Sequence, residues 1–234
     1  MLRFVILSMA RSGTSLLSTT LNTHPAVLCH GEIFHKEPKW HLLGNLEHLS
    51  NEEKLAIQAS PDFVDRIYAQ DRPIVGHKMW YDQNPTICSI LMADENILKI
   101  IYERENALAQ FSSGQLAKAT GVWNRAPSDE AKVEDAPMLR FSTSAFEKFI
   151  RFRTETFDRY RTETRGPVLS LTYREIANGR FDLVLNFFGQ TQRELKPQKQ
   201  KLYTSDILSR YAMEEHQAIR DYLTVIGHSD WVTE

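Results

Sequence analysis

The stretch that most restricts this chain is Phe4-Val5-Ile6-Leu7-Ser8-Met9-Ala10-Arg11-Ser12-Gly13-Thr14-Ser15-Leu16-Leu17. It reads as a short apolar strand, a turn of small and polar residues carrying one arginine, and the first turn of a helix. Unpaired N–H groups at a helix start converge on one point, and the helix dipole adds partial positive charge there. That is a cradle for a phosphate-like anion. Gly13 permits close backbone approach, Ser12, Thr14 and Ser15 supply hydroxyl donors, and Arg11 supplies full charge. The nucleotide-binding pattern GxxxxGK[ST] is not matched, because no lysine follows Gly13 and no second glycine lies five residues upstream.

A strand feeding such a helix belongs in an α/β domain, and 234 residues suffice for one with a substantial core. The net charge of −2 argues against a general nucleic-acid or membrane-surface binder. Any anion site must be built from local arginines and lysines. Phe4–Leu7 is too short for a signal sequence, and no run approaches the roughly eighteen apolar residues that cross a bilayer, so a cytoplasmic protein is expected. Cys29 and Cys88 are too few for a thiolate metal site and read as buried free thiols.

Strand and helix signals then alternate. Ala26–Cys29 reads as a strand that delivers His30-Gly31-Glu32 to its carboxyl end, where ligands gather in open α/β sheets. Ser50-Asn51-Glu52-Glu53 resembles a capped helix start. Pro73–Trp80 is a strand placing Lys78 near its end, Pro85–Asp94 a helix, and Ile97–Tyr102 the clearest buried strand. Arg104 follows that strand, with a helix expected from near Asn106. Residues 120–141 lack periodicity and read either as a lid or acceptor loop, with Trp123 and Arg125 as candidate contacts, or as a plain mobile loop. Ser144–Thr164 is an amphipathic helix, Val168–Tyr173 a strand, Phe181–Phe188 a helix ended by Gly189, and Ser205–Ile226 a last helix. The fold expected is a central parallel sheet flanked by helices.

The loop Arg11-Ser12-Gly13-Thr14-Ser15 resembles the 5′-phosphosulfate loop of sulfotransferases that use 3′-phosphoadenosine 5′-phosphosulfate (PAPS). Arg104 and Ser112, with seven residues between them, are similar to that family's 3′-phosphate pair. Val168–Tyr173 followed by Arg174-Glu175-Ile176 looks like the family's Tyr-Glu-Asp-Leu strand end, with Arg174 and Glu175 where two acids are usual. Only Tyr173, near the adenine, is carried over. Lys199-Gln200 resembles a Lys-Gln element of bacterial members, which implies that Lys199 touches cofactor phosphates. The stretch Leu21–Pro25 leading to His30–Phe34 resembles the bacterial and carbohydrate-type branch, related to the protein-tyrosine sulfotransferases.

The resemblance implies a P-loop-like sulfotransferase fold and transfer of a sulfuryl group from PAPS to an acceptor hydroxyl, on a carbohydrate or glycolipid by branch, leaving adenosine 3′,5′-bisphosphate (PAP). Arg11 and Lys78 are the implied stabilising cations and Glu32, 21 residues after Arg11, the base, with His30, His35 and His77 as fallback bases. No metal is needed if fixed cations neutralise the charge. Two rivals stand beside this: a P-loop small-molecule kinase, and a binding module that has lost transfer.

Overall fold

A computed structural model describes residues 1–35, 49–58, 62–123, 136–191, 194–199 and 203–234. Among these residues five strands form one parallel sheet: β1 (Leu2–Leu7), β2 (Val27–His30), β3 (Ile74–Met79), β4 (Ile97–Glu103) and β5 (Val168–Thr172), in the order β2-β3-β1-β4-β5. Strand β1 is central, with Leu7 opposite Met79 of β3 and Ile101 of β4. A strand covered on both faces reads as an unbroken apolar run, and Phe4, Val5, Ile6 and Leu7 are all buried.

The alternation of side chains divides the core. Val5, Leu7, Val75, Met79 and Ile101 pack with α3 (Phe63–Tyr68), α4 (Pro85–Ala93) and α6 (Thr143–Glu163). Phe4, Ile6, Ile74, Ile100 and Tyr102 pack on the other face with α1 (Thr14–Leu21), α7 (Tyr173–Ala177) and α8 (Asp182–Phe187). Gly76 of β3 has no room for a side chain, because a Cβ there would lie 2.4 Å from the Phe4 ring. A third cluster joins α5 (Ala107–Thr120) and α6 to α9 (His216–Val225) through Phe146, Tyr211, Ile219, Leu223 and Trp231.

Local signals set most boundaries. Helix α2 (Asn51–Gln58) begins with the expected capping box, Ser50 N donating to Glu53 and Glu53 N to Ser50 Oγ. Asn84, Asn106 and Ser142 cap α4, α5 and α6. The long last helix expected over Ser205–Ile226 is not formed. Only His216–Val225 is α-helical, preceded by 3₁₀ turns at Leu208–Arg210 and Met213–Glu215. Tertiary contacts override helix propensity here: Asp206 bridges Thr233, Tyr211 bridges Leu139, and the turn carries Arg210 into the interior. Of the suspected lid, residues 124–135 lie outside those described, Arg125 among them. No helix among the described residues is long and apolar enough to cross a membrane.

Candidate active site

The site lies at the carboxyl ends of β1, β3 and β4, where open parallel sheets bind ligands. Residues 8–13 leave β1 and turn into α1. Gly13 takes φ 86° and caps the helix without a side-chain hydrogen bond. The backbone N–H groups of Arg11, Ser12, Gly13, Thr14 and Ser15 donate to no acceptor among the described residues. With no acid in the first turn of α1, the partial positive charge there is uncompensated by its own helix. Gly13 is doubly constrained. Its φ is left-handed, and a Cβ would fall 2.6 Å from Tyr173 Cδ2 and 3.3 Å from the Tyr102 hydroxyl.

Arg11 and Arg104 meet at one mouth. Arg104 Nη1 donates to the Arg11 carbonyl at 3.0 Å, and its guanidinium lies 4.8 Å from the centre of the Tyr173 ring. Arg11 Nε donates to Ser113 Oγ at 3.1 Å and Nη1 to the Trp123 carbonyl at 2.5 Å. Ser112, one residue from Ser113 on α5, is fully buried and accepts from Arg210 Nη1 at 2.8 Å. Three guanidinium groups thus crowd one end of the sheet. Burial lowers the Arg11 pKa, Arg104 adds to the lowering, and Tyr203 and Glu32 oppose it. Arg210 is pushed down to about 10, by burial first and by Arg104 second. A guanidinium does not give up its proton in a protein, so the crowding is a standing positive potential.

Glu234 answers part of that potential. Its carboxylate grips Arg104 through Nε at 2.7 Å and through Nη2. Chain segments 130 residues apart are joined in this contact.

On the β3 side, Lys78 Nζ lies 3.2 Å from Glu32 Oε1 and donates to Ser15 Oγ at 3.1 Å. Gln83 Nε2 donates to the other Glu32 oxygen at 3.1 Å. Glu32, Lys78 and Ser15 therefore form one chain from the end of β2 to the start of α1.

Most of the residues singled out from the sequence are brought together: Arg11, Ser12, Gly13, Thr14, Ser15, Glu32, Lys78, Arg104 and Tyr173. Lys199 is half-buried and follows Gln198, whose N donates to Thr20 Oγ1 in the far part of α1. Thr20 is six residues beyond Thr14, about 9 Å along the helix from the anion loop. His30 and His77 are sealed in the core, which removes them as accessible bases. His30 Nε2 faces the Ile67 carbonyl at 3.0 Å, and burial drives His77 down to about 3.

Three residues went unread: Gln110, Arg153 and Arg210. The sequence does mark one of them. Arg153 falls within the buried stripe Phe146, Phe149, Phe157 and Tyr160 of α6, where an arginine needs a specific partner.

The open amides suit an anion, and two further buried polar groups near this mouth have no hydrogen-bond partner among the described residues: the Tyr102 hydroxyl and Arg210 Nε. Buried polar groups are seldom left unmade. Fold and geometry together define an α/β protein with a strand–loop–helix whose amides are open and two arginines at its mouth.

No family model matches the chain. In sequence it is 25% identical over 151 residues to Nodulation protein H of Rhizobium meliloti (strain 1021), covering 60% of this chain and 57% of that protein. The chain thus spans a little over half the length of that relative. Among solved structures it is similar to the sulfotransferase domain of the Synechococcus PCC 7002 olefin synthase (TM-score 0.48, 16% identity, 96% of this chain and 82% of that one). It is also similar to a sulfotransferase from Alicyclobacillus acidocaldarius (TM-score 0.43, 18% identity, 99% and 98%). The relatives found by structure are sulfotransferases, the class its motifs resemble.

Proposed function

We propose that this chain transfers a sulfuryl group from PAPS to an acceptor hydroxyl by in-line displacement. The observation that carries the reading is the joint mouth of Arg11 and Arg104, with Arg104 Nη1 3.0 Å from the Arg11 carbonyl. One sulfonucleotide with anionic groups at both ends of its ribose bridges two such guanidinium groups. PAPS supplies an activated sulfuryl group, and the protein's part is to position it and neutralise charge as it develops.

In this reading the amides of residues 11–15 and Arg11 hold the 5′ end, while Arg104 and Ser112 take the 3′-phosphate. Tyr173, already stacked against Arg104, borders the adenine. The bond from sulfur to the 5′-phosphate oxygen breaks as the acceptor oxygen bonds to sulfur. Arg11 offsets the negative charge left on the phosphate, and Lys78 offsets charge at the transferring group. The acceptor proton passes to Glu32, whose second oxygen Gln83 orients.

A carbohydrate or glycolipid hydroxyl is the favoured acceptor. The branch resemblance supports this, and so does Trp80, which follows β3 and is tied through Gln83 to Glu32. An indole there presents a face on which a sugar ring stacks.

The test is incubation with labelled PAPS and a panel of glycan acceptors, alongside Glu32→Gln. Wild type is expected to transfer label, and Glu32→Gln to lose turnover while binding PAP as wild type does. Protection from thermal unfolding by ATP with magnesium and not by PAP sinks the proposal in favour of a kinase. Full activity in Glu32→Gln removes that residue from the reaction.

A further inference from the structure

Arg11 has φ 63° and is the one non-glycine residue with positive φ among those described. A side-chain-bearing residue in that region is strained, and the strain persists only where the surroundings over-determine it. The guanidinium is bonded to Ser113 Oγ and the Trp123 carbonyl, and the backbone around it is held by few and specific groups. Gln110 Nε2 donates to the Ala10 carbonyl at 2.7 Å and to Ser12 Oγ at 3.0 Å, so one amide group grips the residues on both sides of Arg11. Arg104 Nη1 holds the carbonyl of Arg11 itself.

Gln110 is 1% exposed and lies on α5, 100 residues from Ala10. Its orientation is not free. Gln110 Oε1 accepts from Arg153 Nε at 3.3 Å, and a guanidinium only donates, so the NH₂ end must face the loop. Arg153 is anchored in turn: Nη2 donates to Glu103 Oε1 at 2.6 Å and to the Arg104 carbonyl at 2.7 Å. A single buried network thus ties the turn after β1 to the end of β4, the two segments that carry the site's arginines.

We propose that Gln110, oriented by Arg153, is the positioning residue that locks Arg11 in its left-handed conformation and so aims its guanidinium. The inference deepens the proposed function and rests on Arg11 being an anion-binding residue. Gln110 itself touches no reactant. Without the clamp, Arg11 relaxes to ordinary backbone geometry and its side chain leaves the mouth.

Gln110→Glu tests this with no change of shape. The carboxylate keeps Arg153 as partner and turns an acceptor toward the Ala10 carbonyl. Gln110→Met, uncharged and of similar length, removes the clamp without adding repulsion and stands in if the first variant does not fold. Two readouts are taken.

The first is trypsin cleavage after Arg11, followed by mass spectrometry, with cleavage after exposed Arg140 as internal control. Loss of a clamp of this kind is expected to raise cleavage after Arg11 about tenfold, because cleavage follows the population of the opened loop. The second is affinity for PAP in a double-mutant cycle with Arg11→Ala. Gln110→Met, which adds no charge beside the anion, is expected to weaken binding about tenfold beside Arg11 and clearly less in Arg11→Ala, because a residue acting through another is coupled to it. Unchanged cleavage after Arg11 in both variants overturns the proposal, as does an equal loss of affinity in the Arg11→Ala background. Should wild type and Arg11→Ala bind PAP equally, the sulfotransferase reading falls, and the cleavage rates alone decide the clamp.

Discussion

Glu234→Gln is expected to weaken the free protein and to strengthen its hold on nucleotide. The Glu234 carboxylate lies bidentate on Arg104, with side-chain exposures of 13% and 8%. In the proposed function the same guanidinium edge receives the 3′-phosphate, so binding has to displace the carboxylate. Gln keeps the size of Glu and one acceptor, but it loses the charge. A hydrogen bond between charged groups contributes about 1.5–3 kcal/mol, which converts to roughly a 10- to 100-fold gain in affinity for PAP when the competitor is neutralised.

The free protein moves the other way. A buried charge stripped of its partner costs about 3 kcal/mol or more, lowered here because Arg104 retains the Arg11 carbonyl. Calorimetric titration with PAP and with adenosine 5′-phosphate, beside urea unfolding of both proteins, reads the two effects. Only the bisphosphate carries the group that competes, so affinity for adenosine 5′-phosphate should not move. An unchanged or weaker affinity for PAP in Glu234→Gln refutes the reasoning, as does an equal gain for both nucleotides.

Two further outcomes are expected. Gly13→Ala should lose about 1–2 kcal/mol from its left-handed backbone alone, and more because the new Cβ meets Tyr173 at 2.6 Å; urea unfolding measures the first, and weakened PAP binding reports the displaced loop. His77 is buried with neither ring nitrogen hydrogen-bonded among the described residues, and its pKa is about 3. The unfolded chain therefore takes up a proton near pH 6.5 that the folded protein refuses, and stability falls as the pH drops from about 6.5 toward 3. At pH 5 this amounts to about 2 kcal/mol, and His77→Leu should remove that share of the acid sensitivity in denaturant titrations at pH 7 and pH 5. Equal slopes in the two proteins would exclude His77 as the cause.

Much of this architecture is local in origin and was legible for that reason. The apolar run Phe4–Leu7, the caps at Ser50 and Asn106 and the buried strand Ile97–Tyr102 each encode their element within a few residues. The strand–loop–helix and the Arg104–Ser112 spacing named two halves of the proposed site. What the sequence left open was decided between distant segments. The segment before Lys199 is tied to α1 through Gln198 and Thr20, and the single helix expected over Ser205–Ile226 breaks so that Arg210 reaches Ser112. Gln110 showed no short-range signal, and the α6 stripe marked Arg153 as needing a partner without naming it, because their partners are about 100 and 50 residues away. Short-range chemistry chose the strands, the turns and the anion-seeking loop. The way that loop is held, and which carboxylate faces which arginine, was settled only when the parallel sheet brought the ends of β1, β3 and β4 side by side and buried their charges where each needed a partner.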